Sequence, residues 1–145
     1  MTVDDLLIEA RGVIPHRPGP AEALAAQAAG ALPVDIRGDN QRPAGGLVPG
    51  ALVLSRNSLE WRCDPASQSR HPEINDWARP LIPICDEGFQ SSLAVATLPR
   101  LGLVNATDLD GGFAAWGCGQ LAAGGADQGT QVPLGHHVGR MAERW

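Results

Sequence analysis

Residues 81–94, Leu-Ile-Pro-Ile-Cys-Asp-Glu-Gly-Phe-Gln-Ser-Ser-Leu-Ala, pass from a short apolar run through a glycine into an alanine- and leucine-bearing stretch. A run this short, bounded by turn residues, reads as a buried parallel strand, and the stretch after it reads as a helix. The same alternation recurs along the chain. Pro20–Gly30 has Pro at a helix start, an early Glu22 and a closing Gly30, which predicts a helix. Leu24 is expected to face the sheet, with Glu22 and Gln27 in water. Ala31–Ile36 and Ala51–Leu54 read as strands, and residues 37–46 as a loop rich in turn signals. Past the cysteine, a helix is predicted from about Ser91 to Leu98, kinked or stopped at Pro99 and ended by Gly102. Val104–Asp108 gives a further short strand, and Trp116 starts or sits in a short helix. Alternating helices and strands imply an α/β fold with a parallel sheet.

Such a sheet puts Cys85 at the carboxyl end of a strand, the edge where open α/β sheets bind ligands. Loop N–H groups and a helix N-terminus converge there and favour an anion. Electropositive settings of this kind bring cysteine pKa values to roughly 3.5–7.5, from about 8.5 for a free thiol. Cys85 is therefore expected to be a reactive nucleophile, the alternative being a buried structural cysteine.

Several segments resemble the rhodanese-like family, a sulfurtransferase domain whose active-site loop starts with a cysteine at a strand end. Val34-Asp35-Ile36-Arg37 looks like its Asp-x-Arg strand end, and Val48-Pro49-Gly50-Ala51 like its Ile-Pro-Gly-Ala stretch. Asp108-Leu109-Asp110-Gly111-Gly112-Phe113-Ala114-Ala115-Trp116 looks like the paired glycines and aromatic helix start that close the domain. Arg56-Asn57-Ser58-Leu59-Glu60-Trp61-Arg62 is similar to a segment of a bacterial single-domain subgroup. The resemblance spans roughly residues 5–123 and implies a three-layer fold, a mainly parallel sheet of about five strands with helices on both faces. One domain is expected over residues 1–123, followed by a Gly-rich linker and tail over 124–145, in which Val132–Trp145 could dock as a short helix.

The resemblance implies a sulfurtransferase that carries sulfane sulfur as a persulfide on Cys85 and passes it to a thiol or cyanide acceptor. The loop would comprise Asp86, Glu87, Gly88, Phe89, Gln90 and Ser91, with Gly88 letting it curl and Ser91 capping the helix. From Cys85 through Gln90 it has the six-residue length of sulfur-transfer enzymes. Related phosphatases use a loop one residue longer that ends in a phosphate-clamping arginine, where this chain has Ser91, which offers no guanidinium fork. The loop is also less cationic than the family's commonest pattern. Gln90 stands where arginine is frequent, and Asp86 and Glu87 come directly after the cysteine. Like charges weaken binding of a thiosulfate dianion, so a persulfide on a small thiol or a protein is the expected donor. The competing class is a non-catalytic protein-binding or redox-sensing module on the same fold.

Arg56 and Arg62 are secondary substrate-binding candidates, since a strand ending near Ser55 brings the residues after it to the same sheet edge. Asp35 and Arg37 read as a structural pair, and Leu47 replaces a family histidine. Cys63 could accept sulfur from Cys85 or bridge to it, with a structural thiol as the plainer reading, and Cys118 reads as structural. Trp61, Trp77 and Trp116 are expected to pack in the core, and Trp145 to be accessory.

The chain carries a formal net charge of −5 over 145 residues, which speaks against a nucleic-acid partner. Its eleven basic residues are all arginines, which removes Schiff-base chemistry and a Walker-type phosphate loop. The Ala-, Gly-, Pro- and Arg-rich composition points to a bacterial genome. Three cysteines without C-x-x-C spacing argue for reduced thiols in a cytoplasmic protein. No membrane span or secretion signal is expected. Neighbouring His136 and His137 diverge on helix and strand alike, so no metal and no cofactor is expected.

Overall fold

The computed structural model describes residues 1–42 and 46–122. The expected tail, the helix over Val132–Trp145, His136, His137 and Trp145 lie outside the described residues.

Helix α1, Val3–Val13, opens the chain and has no counterpart among the elements expected from the sequence. A capping box starts it: Asp5 N–H donates to Thr2 Oγ1 at 3.2 Å, and Thr2 N–H donates to the Asp5 carboxylate at 2.7 Å. Helix α2, Pro20–Ala28, keeps to the predicted pattern of proline start and glycine end. Its sheet-facing residue is Ala23 rather than Leu24, which is 46% exposed. Alanine there lets the helix backbone lie close to the sheet. Gln27 is not left in water either, because its Nε2 donates to Pro49 O at 2.8 Å.

The sheet is parallel throughout, in the order β2-β1-β3, with β1 Leu32–Asp35, β2 Leu52–Val53 and β3 Leu81–Ile84. Leu32 pairs with Leu81 and Asp35 with Ile84, while Val34 pairs with Leu52. Three strands form among the described residues, against about five expected. The missing strand at 104–108 has a physical cause. Thr107 N–H reaches Leu81 O at 3.0 Å and Leu109 N–H reaches Pro83 O at 3.3 Å, so the chain does run beside β3. Pro83 has no N–H to return on that edge, and the reciprocal ladder cannot form.

Side chains alternate across β3 and divide the core into two layers. Leu81 joins Ile14, Leu32, Val34, Leu59, Ala94, Val95 and Leu98 in one cluster, whereas Ile82 and Ile84 join Ala23, Leu109, Phe113 and Trp116 in the other. The first layer is closed by α1, by a 3-10 turn at Arg56–Ser58 running into α3, Leu59–Cys63, and by α4, Gln90–Val95. The second is closed by α2 and by α5, Gly112–Ala122. The result is the expected three-layer α/β arrangement. Pro99 ends the α4 region in a 3-10 turn, Leu98–Leu101, and Gly102 at φ +95° terminates it. Of the three tryptophans expected in the core only Trp116 is buried. Trp61 and Trp77 are 57% and 46% exposed: α3 turns Leu59 and Cys63 inward and Trp61 to the opposite side, and Trp77 sits on a turn in the connection from α3 to β3.

Candidate active site

Cys85 comes directly after β3 and is 5% exposed. The chain then wraps around its sulfur. Gly88 N–H points at Sγ at 3.2 Å and Ser91 N–H at 3.3 Å. The N–H groups of Asp86, Glu87, Phe89 and Gln90 have no acceptor among the described residues. The loop forms a cup around the sulfur with two of its N–H groups directed at it, a geometry that favours an anion.

Glycine makes the cup possible at two places. Gly88 sits at φ +87°, and a Cβ there would come within 2.9 Å of Gly111 N. Gly112, at φ +63°, lies so close under the loop that a Cβ would meet Glu87 N and Gly88 N at 2.6 Å. The paired glycines of α5 are thus the floor on which the loop backbone rests, and Phe113 and Ala114 N–H bond Cys85 O and Asp86 O at 2.8 and 2.9 Å.

Ser91 does not cap α4, which starts at Gln90 after Phe89 and has no side-chain cap. Its hydroxyl lies 3.3 Å from Cys85 Sγ and donates to Asp108 Oδ2 at 2.7 Å. Ser92 Oγ donates to the same oxygen at 2.9 Å. Asp108 is fully buried and held by Arg17, whose Nε and Nη2 bond its two carboxylate oxygens at 2.7 and 3.0 Å. That hydrogen bonding, with the negative charge of Asp108, Asp110 and Cys85, raises the Arg17 pKa against the opposing effect of burial. Arg11 comes from α1: its Nη2 donates to Gly88 O at 2.8 Å and its Nε to Ser92 Oγ at 3.0 Å. Sequence reasoning does not find Arg11, Arg17 or the role of Asp108. Asp108 lies inside a motif with a family counterpart, but nothing in the spacing of Arg11 and Arg17 marks them as partners of a loop more than 70 residues away.

Among the other residues singled out, Asp86 is half-buried and accepts from Gln41 Nε2 at 3.2 Å, while Glu87, Phe89 and Gln90 are exposed. Gln90 edges a cleft of about 390 Å³ between the ends of β1 and β2, lined also by Gln41, Arg42, Arg56 and Asn57. Arg56 therefore shares a cleft with the loop, beside Glu60 at 3.5 Å. Arg62 instead donates to Ser69 O at 3.0 Å in the connection from α3 to β3. Asp35 and Arg37 form a buried bidentate pair at 3.0 and 2.8 Å, with the guanidinium over Phe113 at 3.9 Å. Cys63 is buried and free, and burial, with Glu60 nearby, pushes its pKa up to about 12. Among the described residues, no Cys/His/Asp/Glu group is arranged to hold a metal.

A parallel three-layer sheet with a cysteine at a strand end, cradled by its own loop, defines a cysteine-loop α/β domain. The chain matches the rhodanese-like domain family over residues 19–117 and belongs to it. It is 35% identical over 114 residues to the thiosulfate sulfurtransferase GlpE of Pseudomonas entomophila, covering 77% of this chain and 95% of the relative. Among solved structures, a Rhodopseudomonas palustris protein of unknown function, a possible tyrosine phosphatase, aligns with TM-score 0.71 at 29% identity, covering 80% of this chain and 89% of that one. The human single-domain sulfurtransferase TSTD1 aligns with TM-score 0.56 at 21% identity, covering 69% and 93%, a likeness of fold. Among the described residues no helix is long and apolar enough to cross a membrane.

Proposed function

We propose that this chain is a sulfurtransferase that carries sulfane sulfur as a persulfide on Cys85 and hands it to a thiol or cyanide. The observation that carries this reading is the pair of loop N–H groups, Gly88 and Ser91, directed at Cys85 Sγ at 3.2 and 3.3 Å. Oriented donors stabilise an anionic sulfur without reorganising at the moment of reaction.

The reaction is a double displacement. Cys85 thiolate attacks the outer sulfur of a persulfide donor, the donor's S–S bond breaks, and the electron pair leaves with the donor thiol. The proton that Cys85 gives up ends on that departing thiol. An acceptor thiolate or cyanide then attacks the outer sulfur and returns Cys85 to its starting state, with no net oxidation. Phosphoryl transfer is disfavoured by the same loop. The position after its six residues is Ser91, whose hydroxyl is committed to Asp108, and no loop side chain offers a guanidinium fork. Gln90, Asp86 and Glu87 favour a persulfide of a small thiol or a protein over thiosulfate as donor. Free Cys63 and Cys85 suit a reducing, cytoplasmic setting.

Intact mass spectrometry after brief exposure to glutathione persulfide, and separately to thiosulfate, tests this. Wild type should gain one sulfur from the persulfide, slowly or not at all from thiosulfate, and Cys85→Ser should gain none. A folded wild type that gains no sulfur from either donor defeats the reading and points to a binding module. Fast thiosulfate:cyanide turnover at low millimolar thiosulfate defeats the donor preference.

A further inference from the structure

The Gly88 carbonyl turns away from the cup and is gripped from behind. Arg11 Nη2 donates to it at 2.8 Å and Arg17 Nη2 at 3.1 Å, with Ser92 Oγ, whose proton goes to Asp108, 3.2 Å away. Two guanidinium groups thus converge on one loop carbonyl. The peptide bonds are trans, so the N–H of Phe89 points opposite to that carbonyl. Gly88's own N–H already faces Cys85 Sγ, and Phe89 N–H has no acceptor among the described residues. Cationic donors on a carbonyl also polarise the peptide and strengthen the N–H at its other end. Both arginines precede residue 19, where the match to the family begins. Arg11 lies in α1, which packs on α4, and Arg17 in the connection from α1 to α2.

We propose that Arg11 and Arg17 are positioning residues that turn the Gly88–Phe89 peptide so that Phe89 N–H faces the sulfur carried by Cys85. Through that peptide they give the loop the positive potential that Gln90, Asp86 and Glu87 deny it. The inference rests on the persulfide reading above.

Arg11 is the residue to change, since it makes no ion pair among the described residues, whereas removing Arg17 strands the buried Asp108. Wild type, Arg11→Met and Arg11→Lys are compared for sulfur loading from glutathione persulfide, and the Phe89 amide is followed by NMR in ¹⁵N-labelled protein. In wild type, loading should move the Phe89 amide proton downfield. Arg11→Met should load about tenfold more slowly, equivalent to about 1.4 kcal/mol on the barrier. The loss should fall on kcat with KM retained, and Arg11→Lys should recover most of the rate because it keeps a cationic donor. A Phe89 resonance that stays put in sulfur-loaded wild type overturns the inference, whatever the variants do, and so does a folded Arg11→Met that loads at the wild-type rate. Wild type that never gains sulfur overturns the persulfide reading and this inference together; wild type that gains it with Phe89 unmoved overturns the inference alone.

Discussion

Replacing Gly112 by alanine should separate two costs that glycines usually hide together. At φ +63° an alanine occupies the left-handed region, a strain of about 1–2 kcal/mol. Its Cβ would also stand 2.6 Å from Glu87 N and Gly88 N and 2.7 Å from Asp86 C, all backbone atoms, where ordinary contact begins at 3.4 Å. Nothing flexible can yield, so the cysteine loop itself must move by most of an ångström, an overpacking cost of about 1–3 kcal/mol. The sum is about 2–5 kcal/mol, a large part of the about 5–15 kcal/mol that holds a domain together. Gly30→Ala is the matched control: Gly30 sits at φ +114° before the amino end of β1, and a Cβ there meets nothing within 4 Å. It should show strain alone, about 1–3 kcal/mol. Urea unfolding gives both values, and sulfur loading by intact mass reads the loop. Gly112→Ala should be the more destabilised and lose loading, while Gly30→Ala keeps it. If the two variants agree within about 0.5 kcal/mol and both load normally, the idea that α5 forms the floor of the loop is wrong.

Burial sets two further outcomes. With a pKa of about 12, Cys63 is thiolate to the extent of on the order of one part in 10⁵ at pH 7, so native protein should leave it unmodified by iodoacetamide. Peptide mapping that finds Cys63 labelled as fast as a free cysteine contradicts this and reopens a sulfur-relay role. His71 is buried and accepts Glu73 N–H at Nδ1; burial chiefly, then the Arg62 charge, lower its pKa below 6.5, with Glu73 opposing. The unfolded chain then binds the proton more readily. Stability is full above about pH 6.5 and falls as pH drops through the folded value. Urea midpoints at pH 7.5 and 5.0 should converge in His71→Gln relative to wild type, and an unchanged gap assigns the acid sensitivity elsewhere.

The cysteine loop is legible in sequence because its pieces are local: an apolar run, a glycine and a helix-forming stretch occupy consecutive residues and fix their own geometry. The paired Gly111 and Gly112 are legible for the same reason, although only the structure gives their purpose, the close approach to Glu87 and Gly88. Helix α1 is hard to read because four of its large apolar residues, Val3, Leu6, Ile8 and Val13, stay exposed, and its inward stripe is only half-buried Leu7 and small Ala10, continued by Ile14 just past its end. Thr2 and Asp5 are the one start signal it carries. Leu24 misleads for the converse reason: in an alanine-rich helix the tightest packing surface is the alanine face, and the larger side chain is turned out. Strand 104–108 fails on Pro83, a residue of its neighbour, which a reading of 104–108 alone cannot register. Arg11, Arg17 and Asp108 meet only after the fold brings α1, the loop and α5 together, so their partnership is a property of topology rather than of spacing.

That partnership bears on which donor the site accepts. Among the described residues, the loop and the side chains bonded to it carry two cations, Arg11 and Arg17, and four acids, Asp86, Glu87, Asp108 and Asp110, while Arg42 and Arg56 in the adjoining cleft are each paired with an acid, Asp39 and Glu60. Asp108 and Asp110 are matched by hydrogen bonds to Arg17, but the formal balance remains negative by two charges before a donor arrives. At about 8 Å in water each pair of unit charges is worth about 0.5 kcal/mol, so a dianion faces about 2 kcal/mol of repulsion and a monoanion about 1 kcal/mol, before screening by salt. The difference amounts to a fewfold preference for a donor of lower charge. Long-range charge therefore tilts the choice without dictating it. The force left to secure a sulfur anion in such a field is short-range: N–H groups held at fixed angles a hydrogen bond away from Cys85. A loop with an arginine of its own can attract thiosulfate from a distance, whereas one built on backbone donors must wait for a donor to arrive by contact, which suits a persulfide delivered on a thiol carrier.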